Sequence, residues 1–175
     1  MMIGKPQAGE YAEYYERYIK LVNDDDILGT LSRQTSELRE AAALVSRERE
    51  KHRYGPGKWS IREIFGHLID AERVFGYRLF CISRGEKRSL PGFDENEYVA
   101  SAGFDERTLQ SLVDELVLLR SANLSLMKSL DESQWNRSGV ANDVPVSVRS
   151  IAFILAGHAM HHMKVLSERY ALKSS

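Results

Sequence analysis

Four long stretches of the chain repeat apolar residues at the spacing of an amphipathic helix. They cover residues 27–51, 60–84, 106–130 and 148–170. Apolar residues at intervals of three and four line one side of a helix, and that side must be buried against another element. Patterns typical of strands are nearly absent. The sequence therefore predicts an all-α four-helix bundle, with a short extra helix over residues 10–22 and a single domain over residues 1–175.

The best-defined helix start is at Ser60. Ser60 and Glu63 form a capping box, in which each side chain hydrogen-bonds the backbone N–H of the other residue. Trp59 and Ile64 are spaced as the hydrophobic staple around it. Gly85 is placed to end the same helix, because glycine readily adopts the left-handed conformation that closes a helix.

Two connections, residues 85–104 and 131–147, are predicted to be long loops. A long connection in a compact domain is often functional. The first contains Asp94 and Glu95, whose carboxylates could approach an open position on a metal ion. The alternative is a turn in which Asp94 caps the following backbone.

Two histidines in the last helix are spaced as ligands of one metal ion. His158 and His162 lie four residues apart on a stripe that also carries Leu155, Val165 and Leu166. Side chains so spaced are about 5–6 Å apart, and each imidazole nitrogen lies about 2 Å from a shared ion. The alternative is that this common spacing arises here by chance.

A third ligand has to come from another helix. His67 lies on the apolar side of the 60–84 helix, so we predict that it completes a site with His158 and His162. The alternative is a core histidine held by hydrogen bonds. The predicted ion is divalent, namely zinc, nickel or iron, because imidazole binds all of these metals.

A second histidine in the last helix competes with His162. His161 lies three residues after His158 and could reach the same ion. Its neighbours one turn away include Gly157 and Lys164, whereas those of His162 are apolar. We therefore choose His162 and place His161 at the surface or at the rim of the site.

Other groups are weaker candidates. Cys81 lies about 21 Å along the helix from His67, so the two cannot share one ion, and Cys81 is read as a small buried residue. Asp70, one turn after His67, either orients that imidazole or is a surface charge. The protease motif HExxH is absent, because Ala159 follows His158.

Charge and composition exclude several classes of function. The formal net charge is -1 and basic residues are interspersed with acidic ones, so no nucleic-acid partner is expected. No apolar run approaches the roughly 20 residues that span a bilayer. Cys81 is the only cysteine, so an intrachain disulfide is impossible. These features predict a cytoplasmic protein.

Three motifs together resemble a known family. They are the run at residues 56–63 (PGKWSIRE), His67-Leu68 with Asp70 and Glu72, and Gly157-His158 followed by His162. In kind and order they are similar to the DinB-like superfamily. This DNA-damage-inducible family also contains bacillithiol transferases and mycothiol-dependent maleylpyruvate isomerases. The resemblance covers the chain from about Tyr14 to Tyr170.

The resemblance implies a four-helix bundle whose divalent ion is held by His67, His158 and His162. It also implies a homodimer, for which the aromatic-rich segment from Tyr11 to Tyr18 is a candidate surface. Some relatives transfer a low-molecular-weight thiol to a small electrophile, so a metal-dependent thiol S-transferase is the first functional hypothesis. The alternatives are a metal-dependent hydrolase and a non-catalytic metal-binding or interaction bundle.

Overall fold

The computed structural model describes residues 3–172 and contains four long helices in one bundle. These are α2 (Ile27–Ala43), α3 (Ile61–Ser83), α5 (Leu109–Lys128) and α7 (Val148–Arg169). Three shorter helices accompany them: α1 (Glu16–Ile19), α4 (Glu95–Ala102) and α6 (Glu132–Trp135). Turns of 3-10 helix span Glu13–Tyr15, Arg47–Arg49 and Phe104–Glu106. The prediction of an all-α four-helix bundle is confirmed.

The order of the helices around the bundle differs from their order in the chain. α3 packs against α5 and α7, and α2 packs against the same two helices. α2 and α3 therefore face each other across the bundle, as do α5 and α7. A segment that joins such a pair has to cross one end of the bundle, which explains the lengths of the connections from α2 to α3 and from α5 to α7. None of the described helices is both long and apolar enough to cross a membrane.

The predicted boundaries of α3 are confirmed in detail. The Glu63 N–H donates to Ser60 Oγ at 3.0 Å, and the Ser60 N–H donates to Glu63 Oε2 at 2.7 Å. Trp59 packs against the buried apolar cluster that contains Ile64. Gly85 follows the helix with a φ of 89°, in the left-handed region that favours glycine.

Two predicted helices are shorter than expected. The helix predicted over 27–51 ends at Ala43, and the one predicted over 10–22 is reduced to a 3-10 turn and α1. Beyond Ala43 the chain turns toward α3, where Arg62 Nε donates to Glu50 Oε2 at 2.7 Å. This tertiary ion pair overrides the helical periodicity of the segment.

The two long connections contain regular structure, contrary to the prediction of loops. Residues 85–104 include α4, and residues 131–147 include α6 and an antiparallel hairpin of β1 (Ser138–Ala141) and β2 (Val144–Ser147). Tertiary contact explains the hairpin, since a lone two-stranded hairpin is marginal in water.

The hairpin is held by its turn and by the first long connection. Asn142 and Asp143 form the turn with φ values of 53° and 60°, which match the left-handed requirement of a type I′ turn. Leu90 pairs with Ala141 in a β-bridge. The hairpin therefore connects residues 85–104 to the end of the bundle.

A buried polar layer lies between two apolar clusters of the core. One cluster includes the second half of α3 and the first half of α7, and the other includes the first half of α3 and the end of α7. The buried polar side chains between them come from all four bundle helices: Gln34, His67, Glu72, Arg120, His158 and His162.

An ion pair connects the helices within this layer. Arg120 Nε donates to Glu72 Oε1 at 2.7 Å, and Arg120 Nη1 donates to Gln34 Oε1 at 2.7 Å. Gln34 Nε2 then donates to the backbone oxygen of Ala156 at 2.9 Å. Asn123 Nδ2 donates to the other carboxylate oxygen of Glu72 at 2.8 Å. The network thus crosslinks α2, α3, α5 and α7.

Removing one partner of this ion pair should be costly. Arg120→Ala leaves the Glu72 carboxylate buried without its cation, so we expect the free energy of unfolding to fall by about 3–5 kcal/mol. Arg73→Ala is the matched control, because its pair with Glu115 is partly exposed and is worth about 0–1 kcal/mol. Denaturant unfolding of both variants measures the difference. Equal losses of unfolding free energy in the two variants would show that the buried pair stabilises the fold no more than the exposed one.

Candidate metal centre

Three imidazoles converge in the polar layer. His67 lies on α3, and His158 and His162 lie on α7. The Nε2 atom of His158 is 2.9 Å from that of His67 and 3.1 Å from that of His162. The structure therefore brings together the three histidines that the sequence analysis selected.

The chemistry of these nitrogens fits a shared cation. A ring nitrogen offers one proton or one lone pair, so Nε2 of His158 cannot make two well-directed hydrogen bonds at once. Two nitrogens bound to one ion at about 2.0–2.1 Å lie roughly 2.8–3.4 Å apart for angles between a right angle and the tetrahedral value. Both observed separations fall in this range. In the described chain the cluster consists of His67, His158 and His162 alone.

The outer nitrogens of two rings are unpaired in the described part of the chain. Nδ1 of His67 and Nδ1 of His162 are buried, and within residues 3–172 neither makes a hydrogen bond. Asp70 therefore does not orient His67, and that hypothesis is wrong. Asp70 is half-buried, and burial raises the pKa of its carboxyl group.

Burial keeps the three imidazoles neutral. It lowers the pKa of His67 to about 4, with a smaller contribution from His161. It also lowers the pKa values of His158 and His162 well below the ordinary value, and the neighbouring imidazoles act in the same direction. Neutral imidazole is the form that binds a metal ion.

Two aromatic rings cover the cluster. Tyr18 on α1 packs edge-on against His158, with ring centroids 5.2 Å apart. The ring centroids of Trp59 and His67 are 4.7 Å apart. The prediction that Tyr18 belongs to a self-association surface is wrong, because Tyr18 is buried within the fold. The missed signal is Gly157, where an added Cβ would lie 2.0 Å from the backbone oxygen of Tyr18. A glycine inside a helix often marks such a close approach of another backbone.

Two cavities that share no lining residue reach the cluster. The larger has a volume of about 250 Å³ and brings His162 together with His161, Lys58, Trp59 and Asn96. The smaller has a volume of about 60 Å³ and is bounded by His67, His158, Glu95 and aromatic rings. We call them the larger cavity and the inner cavity. The cluster is therefore open to small molecules.

The remaining candidate residues lie outside the cluster. His161 is half-buried at the rim of the larger cavity. Asp94 accepts hydrogen bonds from the N–H groups of Asn96 at 2.9 Å and Glu97 at 3.0 Å, which confirms the capping alternative. Glu95 lines the inner cavity. Cys81 is a half-buried free thiol outside the cluster.

The four-helix fold and the three converging buried histidines place this protein in the class of candidate metal-binding helical bundles. The chain belongs to the DinB superfamily, since the model of that family matches residues 30–166. The resemblance to this family that the sequence motifs indicated is confirmed.

Three relatives show how far the similarity extends. A protein of Oceanobacillus iheyensis named "Putative metal-dependent hydrolase" is 25% identical over 130 residues, which cover 74% of this chain and 75% of that protein. YfiT from Bacillus subtilis, described as "a probable metal-dependent hydrolase with an unusual four-helix bundle topology", matches at a TM-score of 0.75 and 18% identity, covering 97% of this chain and 94% of that chain. A mycothiol-dependent maleylpyruvate isomerase matches at a TM-score of 0.65 and 14% identity, covering 83% of this chain and 61% of that chain. At these identities the two structures establish the shared fold.

The choice between adjacent histidines can be tested directly. His162→Ala should abolish stoichiometric metal binding, because it removes one of three converging nitrogens. His161→Ala should retain the metal, because His161 lies outside the cluster. Elemental analysis of protein purified without a histidine tag gives the stoichiometry. Loss of metal in His161→Ala with retention in His162→Ala would reverse the assignment.

The lowered pKa values predict how stability depends on pH. In the metal-free protein His67 titrates near 4, whereas an unfolded histidine titrates near ~6.5. Between these values the unfolded chain binds more protons, so the stability present above ~6.5 is lost as the pH falls toward the folded-state value. Urea unfolding at pH values between ~6.5 and about 4 should show a smaller loss of unfolding free energy in His67→Gln than in the unmodified protein. An equal loss in the two proteins would contradict the assignment of this pH dependence to His67.

Proposed function

We propose that the protein is a metal-dependent enzyme, and specifically a thiol S-transferase that acts on a small electrophile. One observation carries the proposal: the three imidazoles converge without a fourth protein ligand in the described chain, and two cavities reach them. Catalytic metal sites typically have three protein ligands and an open position, whereas structural sites are closed by four. The accessible cluster therefore supports a catalytic role over a purely structural one.

The residues of the cluster have complementary roles in this proposal. His67, His158 and His162 would hold a divalent ion as neutral ligands, and their burial keeps protons off the nitrogens at neutral pH. A bound divalent ion supplies Lewis acidity, which promotes ionisation of a thiol. Trp59 and Tyr18 pack on the imidazoles and restrict their orientation.

The walls of the inner cavity support a thiol as the nucleophile. Five aromatic rings line it, namely Tyr14, Tyr15, Tyr18, Phe75 and Phe93. Sulfur makes favourable contacts with aromatic rings. These rings therefore offer favourable contacts to the sulfur end of a small thiol beside His67 and His158.

The larger cavity is the proposed site for the electrophile. Its volume of about 250 Å³ accommodates a small molecule, and Trp59 offers a flat apolar wall. Lys58 and Asn96 add polar groups that can orient the substrate. Asn96 belongs to α4, so residues 85–104 contribute to this cavity.

A metal-dependent hydrolase is the second candidate. The observation that favours it is the naming of two relatives, the Oceanobacillus iheyensis protein and YfiT, as metal-dependent hydrolases. In that case water would take the place of the thiol, and the same three histidines would hold the ion.

We also propose that the protein acts in the cytoplasm as a homodimer that binds neither nucleic acid nor a membrane. The support is the family resemblance, the single cysteine and the net charge of -1. Since Tyr18 is buried, a dimer contact through the first aromatic segment would use exposed residues such as Tyr14.

Paired assays distinguish the two enzymatic candidates. The metal-loaded protein is mixed with a low-molecular-weight thiol and 1-chloro-2,4-dinitrobenzene, and conjugate formation is followed by absorbance. In parallel, the protein is given p-nitrophenyl acetate without a thiol. We expect metal-dependent conjugation that falls to the metal-free rate in His158→Ala, with replacement of His52, an exposed histidine that lines neither cavity, as the matched control. Ester hydrolysis alone would favour the hydrolase, and inactivity in both assays with metal still bound would favour a non-catalytic bundle.

A further inference from the structure

A continuous groove leads from the histidine cluster along α3. The inner cavity adjoins an outer cavity of about 460 Å³, and the two share Tyr14, Tyr15, Phe93 and Glu95. On α3, the inner cavity is lined by His67, Ala71 and Phe75, and the outer one by Arg78. Spacings of four, four and three place these residues on one stripe of the helix. We call the combined space the α3 groove.

Arg78 is a buried cation that has no acidic partner among the described residues. Its side chain is only 4% exposed, and within residues 3–172 no carboxylate forms an ion pair with it. Nη2 donates to the backbone oxygen of Pro91 at 2.7 Å. Arg120, which is buried to a similar degree, has Glu72 as its ion-pair partner. A desolvated guanidinium beside a cavity favours an oxyanion, because it presents donors in a planar fork.

A tyrosine hydroxyl stands next to this guanidinium. Burial raises the pKa of Tyr15, and the adjacent Arg78 only partly opposes that rise. The hydroxyl therefore stays protonated at neutral pH and can donate a hydrogen bond. Tyr15 and Arg78 together provide two kinds of donor at the outer part of the α3 groove.

The opposite charge lies closer to the histidines. Glu95 lines the inner and the outer cavity, whereas Arg78 lines only the outer one. Glu95 is half-buried and makes no ion pair in the described part of the chain. An anion placed near the histidines would be repelled by this carboxylate, while an anion at the far end would meet Arg78.

We propose that the α3 groove binds the thiol substrate and that this thiol is elongated, with an oxyanion, a carboxylate or a phosphate, held by Arg78 at its far end. This inference rests on the proposed thiol S-transferase function. Eleven residues separate His67 from Arg78, or about 16 Å along the helix axis. The Arg78 side chain leans back toward the N-terminus of α3, so sulfur and oxyanion are on the order of 10 Å apart.

A length series tests the inference on the unmodified protein. The protein is loaded with Co²⁺, and thiol binding is followed by the thiolate-to-cobalt absorption band. The probes are ω-mercapto acids and matching ω-mercapto alcohols of 3, 6, 8 and 11 carbons. The shortest acid should bind no better than its alcohol, whereas an 8- or 11-carbon acid should bind about 10-fold tighter or more than its alcohol. 11-Mercaptoundecylphosphonic acid then shows whether a phosphate-like group is preferred to a carboxylate.

Each other outcome has a defined meaning. Equal affinities of acids and alcohols at every length overturn the oxyanion subsite but leave the S-transferase proposal standing, because the sulfur still binds the metal. A preference for acids at the shortest length alone also overturns it, because Arg78 lies too far away. Absence of the absorption band with every thiol contradicts the S-transferase proposal and this inference with it.

Two variants test which charged side chains cause the preference for long acids over alcohols. Arg78→Met should remove the advantage of the long acids, a loss of about 10-fold or more, and leave the affinity of the alcohols unchanged. Glu95→Gln should improve binding of the shortest acid and leave the advantage of the long acids intact. Circular dichroism and Co²⁺ stoichiometry check that each variant is folded. If folded Arg78→Met still binds the long acids more tightly than the alcohols, Arg78 does not hold the oxyanion. If this variant does not fold, the length series on the unmodified protein decides the question.

Discussion

The buried ion pair between Glu72 and Arg120 is the constraint on which the alignment of the bundle depends. Two apolar helices can slide or rotate against each other at little cost, because dispersion and hydrophobic contacts are not directional. A desolvated carboxylate and guanidinium allow only one arrangement, since any shift leaves a charge unpaired in the core. Gln34 extends this constraint to α7 through the backbone of Ala156, two residues before His158. The convergence of imidazoles from α3 and α7 follows from that alignment.

Helical periodicity was sufficient to predict the parts of the molecule that depend on one face of one helix. It located the four bundle helices and the inward side of α7, which separates His162 from His161. Placement of His67 beside them required only that both inward faces share one core. The capping box at Ser60 needed no tertiary information, because all its hydrogen bonds are local.

The parts that could not be predicted depend on contacts between residues far apart in the chain. The hairpin is too short to be stable alone, and its pairing with Leu90 is invisible in local patterns. The end of α2 depends on the pairing of Glu50 with Arg62. Tyr18 looks like a surface aromatic in sequence, and it covers the histidines only because Gly157 lets the backbone of α1 approach α7.

The unpartnered Nδ1 atoms of His67 and His162 bear on how the cluster would choose between metals. In many metalloproteins a carboxylate or carbonyl accepts the outer N–H of each histidine, which makes the ligand more basic and holds its ring in place. Within residues 3–172, neither His67 nor His162 has such an acceptor. Their hold on any ion then depends on the intrinsic affinity of imidazole, which follows the Irving–Williams order. We therefore expect occupancy to follow the supply of exchangeable copper, nickel, zinc and iron around the protein rather than selection by the cluster.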